Sequence, residues 1–180
     1  MQLPMRWGVT DDEVARSYPC DDELAESGAE IFRAVTVLAE PAVVFRWVCQ
    51  LQVAPYSFDL VDNLGRRSPR TLTPGADRLV IGQPMMTIFR LVGLTDGVDL
   101  TVRMKPGPGR VAFGDVVVTY AVHPGPQGSS RLVAKLVLGP TRSRLARVRV
   151  LALAWGDLVM MRKQLGTLRD LAQAQASPTR

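Results

Sequence analysis

The chain has 180 residues, 47% of them hydrophobic and 22% charged, with a net charge of +5. That length suits one domain, or one domain with an appendage, and buries roughly 70% of the surface of the unfolded chain, so neither disulfides nor metal are needed to hold it together. Two cysteines (Cys20 and Cys49), no CxxC and a single histidine (His123) exclude a zinc or iron–sulfur centre.

No cofactor is expected. The spacing of Cys20 and Cys49 does not favour a disulfide, and two free thiols in a reducing cytosol is the simpler reading. Asp11, Asp12 and Glu13 stand where a secretory signal would need apolar residues. The longest near-apolar run, Val148–Met161, is interrupted by Arg149 and Asp157. A cytoplasmic protein is expected. The charge is uneven: residues 1–30 hold eight acids against two arginines, leaving +11 on the other 150 residues. Arginine supplies 19 of the 22 basic residues. Coding bias accounts for the arginine; an acidic segment lying on a basic body, or attraction to an anionic surface, is the functional alternative.

In chain order, Thr10 caps a short helix with Asp11, Asp12 and Glu13 in its first turn, where acids suit the positive helix end. Tyr18–Gly28 reads as an acidic loop. Glu30–Leu38 is a strand. Pro41 opens a helix with Phe45, Val48 and Cys49 on one face and Trp47 and Leu51 beside it, stopped by Pro55. Phe58–Leu64 reads as a second short helix, and Arg66–Gly75 as a loop. Strands follow at about 78–81, 84–93, 97–104, 113–123 and 130–139. They are separated by Asp96-Gly97, Pro106–Gly109 and Pro124–Gly128, so they pair antiparallel. From Arg142 to about Gln173, capped by Thr141 or Ser143, an amphipathic helix carries Leu151, Trp155, Leu158, Arg162 and Leu165 at three-to-four spacing, with Met161 and Leu168 beside them. The absence of βαβ alternation excludes a doubly wound sheet. The expected organisation is an acidic segment over 1–28, an α+β domain over 29–176 and a frayed tail over 177–180.

This order of elements resembles the helix-grip fold, a curved antiparallel sheet of six to seven strands around a long C-terminal helix, with two short helices between strands one and two. Several local words resemble an uncharacterised, chiefly actinobacterial branch of the SRPBCC superfamily of START and polyketide cyclase/dehydrase-like proteins. They are Arg6–Val14, Trp47–Leu51, Tyr56–Asp59, Asp62–Leu64, Ser68–Arg70, Leu72–Gly75 and Trp155-Gly156-Asp157. The resemblance implies a hydrophobic ligand held between sheet and helix. Leu51–Pro55 lacks the glycine and aromatic residues common in relatives, which implies a different cavity mouth.

Strand alternation places Val98, Leu100, Val102, Met104, Val116, Val118, Tyr120, Val122, Leu132, Ala134, Leu136 and Leu138 inward, almost without ionisable groups. That favours an apolar pocket over built-in acid–base chemistry. Its expected contacts are Trp47, Phe58, Met85, Phe89, Met104, Phe113, Tyr120, Leu151, Trp155, Leu158, Met161 and Arg162, and the same methionines and aromatics equally suit a filled core. Tyr120 either offers a hydroxyl to the pocket or is a satisfied core residue. Arg162 snorkels out, pairs with Asp59 or Asp62, or holds an acidic ligand group. Asp59 and Asp62 are either paired acid–base carboxylates or helix-start acids. Terminal His123 reads as surface decoration.

Arg142, Arg144, Arg147 and Arg149 open the last helix without interleaved aromatics, so an anionic membrane surface is a better partner for them than nucleic acid. Three functions stay open: a binder of a lipid, isoprenoid or polyketide-like molecule; a cyclase or dehydratase-like enzyme using Tyr120, Asp59 and Arg162; and an interaction module for an anionic membrane or a protein.

Overall fold

The computed structural model describes residues 3–58, 65–140 and 143–177. Asp59, Asp62, most of the helix expected over 58–64, Thr141 and Arg142 lie outside the described residues.

The elements are β1 (Arg6–Trp7), α1 (Asp11–Ala15), β2 (Ala29–Val37), α2 (Pro41–Cys49), β3 (Pro84–Met85), β4 (Phe89–Thr95), β5 (Asp99–Met104), α3 (Pro108–Phe113), β6 (Val116–Pro124), β7 (Ser130–Leu138) and α4 (Arg144–Ala176). One seven-stranded sheet runs β1-β2-β7-β6-β5-β4-β3, antiparallel except for the short parallel β1–β2 pair. Helix α4 packs along one face, over β2 and against α2. This is the helix-grip arrangement.

Caps define the helix ends. Thr10 and Glu13 form a reciprocal capping box on α1. Ser143 Oγ accepts from the Ala146 amide (3.1 Å), starting α4.

The strand pattern departs from expectation in three places. Residues 78–81 form no strand. The expected strand 84–93 is broken by a tight turn, where Met86 and Thr87 both have positive φ (43° and 62°) and the Met86 amide donates to the Leu51 carbonyl (3.1 Å). The loop expected at Pro106–Gly109 instead leads into α3, with Pro108 at its first position, where a missing N–H is harmless.

Both faces of the sheet are covered. The inner face carries Ile31, Val35, Leu100, Val102, Val118, Leu132 and Leu136, packed against α2 and the buried side of α4. The outer face, with Phe32, Ala34, Val117, Ala121, Val133 and Val137, lies beneath Tyr18 and Cys20 of the N-terminal segment. The acids of that segment meet cations of the sheet: Glu13 pairs with Arg131 (2.7 Å), and Asp21 pairs with Lys135. Gly8 lets the segment pass close over β2, since it has φ +74° and a Cβ there would run into the Ala34 carbonyl. Cys20 and Cys49 belong to the packing of opposite faces, and both thiols are free. Burial pushes them up to about 11 and about 12 respectively, which leaves them unreactive at neutral pH.

Candidate functional site

Strand register aligns Leu100, Tyr120, Ala134 and Arg33 in one inward-facing row across β5, β6, β7 and β2. Arg33 therefore breaks the expected apolar face. It is 0% exposed yet fully engaged. Nε and Nη2 both reach Asp157 Oδ2 (3.0 and 2.9 Å), and Nη2 also donates to the Ala154 carbonyl. Nη1 donates to the Met5 and Phe32 carbonyls. Burial lowers the Arg33 guanidinium, while Asp157 opposes that shift. Burial pushes Asp157 up to about 6, against the pull of Arg33. The pair clips β2 to the middle of α4.

Beside it, the Tyr120 hydroxyl donates to Gln164 Oε1 (2.8 Å), and Gln164 Nε2 donates to the Pro55 carbonyl (2.6 Å). Tyr120 is thus a satisfied core residue, and burial raises its hydroxyl. Its partner Gln164 ties α4 to the chain between α2 and β3. Next along that chain, Tyr56 holds a positive φ (56°) and sets its ring edge-on to Trp47, with centroids 6.2 Å apart. Trp47 Nε1 donates to Gln175 near the end of α4 (2.7 Å).

Outside this buried seam lie two adjoining cavities. The larger, of about 510 Å³, lies between the loop Arg67–Arg70 and α4, with Tyr56, Lys163, Thr167 and Leu171 in its lining. The second, of about 360 Å³, shares Arg70 and Leu171 and adds Trp47, Leu72 and Ala174. Such volumes suit small ligands. Arg67, Arg70 and Lys163 are exposed, and none pairs with an acid among the described residues. The larger cavity is therefore the more cationic and the smaller the more apolar, with Arg70 at their junction.

The expected ligand contacts scatter. Met85, Met104, Tyr120 and Met161 are buried in the inner core, Phe89 packs against it, and Leu158 is also buried. Met85, Met104, Leu158 and Met161 line neither of the two cavities, nor the grooves beside Phe113 and beside Leu72–Gly75. Trp47 lines the 360 Å³ cavity. Phe58 is exposed, and Phe113 is half-exposed at the end of α3.

Leu151 and Trp155, expected on the pocket wall, instead face outward. The buried stripe is Ala154, Leu158, Met161, Leu165, Leu168 and Ala172, because α4 is apolar on two sides over this stretch and packing chooses the other side. Arg162 is also outside, its guanidinium 5.2 Å from the centre of the Trp7 ring. Asp59 lies outside the described residues. His123 is half-buried beside Tyr18 rather than at the surface, and burial lowers its pKa.

Arg33, Gln164, Arg67, Arg70, Lys163 and Thr167 were not foreseen as site residues. The inward parity of Arg33 between Ile31 and Val35, and Gln164 lying three residues after Met161, were the available signals.

Known structures share this arrangement. Over 84% of this chain and 97% of its own, a protein from Thermobifida fusca solved by NMR superposes with a TM-score of 0.54 at 15% identity. A Nitrosomonas europaea protein covers 84% of this chain and 97% of its own, with a TM-score of 0.51 at 13% identity. The di-domain ARO/CYC BexL from the BE-7585A biosynthetic pathway matches at 0.53 and 12% identity, over 83% of this chain and 48% of its own. No protein-family model matches the chain, and no curated protein does. At these identities the likeness establishes the helix-grip fold.

Proposed function

We propose that the chain is a small-molecule binding protein of the SRPBCC type. Its ligand is amphipathic, with an apolar body and an anionic group, and lies in the seam between α4 and the loop Arg67–Leu72. The observation that carries this reading is the adjoining pair of cavities. Arg67, Arg70 and Lys163, which pair with no acid among the described residues, line the larger, Trp47, Leu72 and Ala174 line the smaller, and Arg70 and Leu171 are common to both. A carboxylate or phosphate meets charge-assisted donors, while the body of the ligand covers apolar surface. Binding is favoured over turnover because the hydroxyl of Tyr120 and the carboxylate of Asp157 are committed to Gln164 and Arg33.

Calorimetric titration with long-chain carboxylates and their methyl esters tests the reading. The acid is expected to bind more tightly than its ester. The double variant Arg70→Glu with Lys163→Glu should weaken the acid by about tenfold or more and leave the ester nearly unchanged. Equal binding of acid and ester, or binding of neither, overturns it.

A further inference from the structure

Between Val148 and Val159, α4 is apolar on its solvent side as well as its core side. Val148 (64% exposed) and Val159 (56%) frame half-exposed Leu151 and Trp155 on the outward face. Spacings of three, four and four residues make these one continuous stripe, roughly 16 Å long. The groove between α3 and α4, lined by Phe113, Asp115, Arg149 and Val150, lies on the other flank of the helix and is not part of this stripe. Folding gains nothing from exposing the side chains of the stripe, and their contiguity marks a contact surface.

Charge identifies the partner. Arg147, Arg149, Arg162 and Lys163 border the stripe and are all exposed. The only acid from Arg144 to Lys163 is Asp157, which is turned inward onto Arg33. A second copy docked through this face would set cations against cations, so self-association is disfavoured. Residues 148–159 also contain no Ser, Thr, Asn or Gln to give a protein partner directional hydrogen bonds. What remains is non-directional apolar burial, a tryptophan and a cationic border. That combination fits an anionic bilayer surface, where aromatic rings settle at headgroup depth and arginines meet phosphates. Contact is interfacial, because among the described residues no helix is long and apolar enough to cross a membrane.

We propose that the outward apolar stripe of α4 seats the protein on anionic phospholipid membranes. Co-flotation of the full chain with phosphatidylcholine vesicles, with and without phosphatidylglycerol, tests this. The protein floats with the anionic vesicles and little with the neutral ones, and added salt weakens the association. Its tryptophan emission shifts to the blue on binding, and Trp155→Phe removes that shift. Trp155→Ser with Val159→Ser lowers partitioning by about tenfold or more. Arg147→Glu with Arg149→Glu does the same with the apolar stripe intact. All four positions are exposed, so far-ultraviolet circular dichroism should match the wild type.

Absence of flotation, equal partitioning into neutral and anionic vesicles, or indifference to both double variants overturns the proposal. So does light scattering that reveals a dimer dissociated by Trp155→Ser, which would make the face a contact between copies.

Discussion

The two faces of the sheet are buried by different means. The inner face is covered by regular helices through apolar packing, with one ion pair, Arg33–Asp157, at its centre. The outer face is covered by an irregular N-terminal segment, held by Tyr18 and Cys20 and by cations reaching its acids. Lys135 lies beneath that segment, within 5.1 Å of the Phe32 ring centre and 5.6 Å of that of Tyr18. A charge under helices must be satisfied in place. A charge under a loop can also serve as the anchor that orders the loop.

The inner face should be the less forgiving. Asp157→Ala leaves a guanidinium in the core with only carbonyl partners, and is expected to lose about 3–5 kcal/mol in urea unfolding. Replacing both partners, Arg33→Met with Asp157→Leu, should recover most of that loss, because the upward shift of Asp157 means that burial outweighs what Arg33 returns. If the double variant is as unstable as the single one, the ion pair is worth more than its desolvation and this account of the inner face fails.

The outer face should respond more mildly. Glu13→Ala removes the Arg131 pair and half of the Thr10 capping box, yet leaves Arg131 with the Gly8 carbonyl and Thr36 as acceptors. A loss of about 2 kcal/mol is expected. Hydrogen exchange should show it confined to residues near 8–24 rather than spread across the sheet. Uniform loosening would mean that the N-terminal segment is integral to the core.

Much of this contrast is legible in the sequence, but unequally. Thr10 and Ser143 are read as caps because short polar side chains before a helical period have few other uses. Asp96-Gly97 gives the β4–β5 turn, and alternation in β5, β6 and β7 gives their inner face, except that Val98, expected inward, falls in the turn before β5 and is left exposed. The orientation of α4 is not legible. Over 148–161 apolar residues occupy two sides, and only the position of the sheet decides that Ala154 and Leu158 go in while Trp155 stays out. The cationic seam is hidden for another reason. Arg67 and Arg70 sit in a loop without period, nearly a hundred residues from Lys163, and folding alone brings them to one cavity. The break at Met86–Thr87 is hidden too, since neither residue type announces a left-handed turn.

The smallest expected effect separates the faces by pH. Asp157 has a folded value of about 6, above its ordinary carboxylate value, so the folded state takes up its proton first as pH falls. Stability from this group is therefore lowest above pH 6 and rises as pH drops from 7 to 5, by about 1 kcal/mol. Glu13 has the opposite sign. Burial raises it, but the Arg131 and Thr10 hydrogen bonds outweigh burial and hold it below its usual value. Its contribution is intact at pH 5 and is lost only as pH falls below about 4.5. His123, lowered by burial, costs stability as pH falls below about 6.5 and partly masks the Asp157 gain. The informative quantity is thus the difference between wild type and Asp157→Asn in urea unfolding at pH 7 and pH 5. The gain should vanish in the variant while the His123 contribution persists in both. An identical pH dependence in the two proteins would mean that Asp157 stays ionised throughout, and that Arg33 offsets the burial of its carboxylate in full.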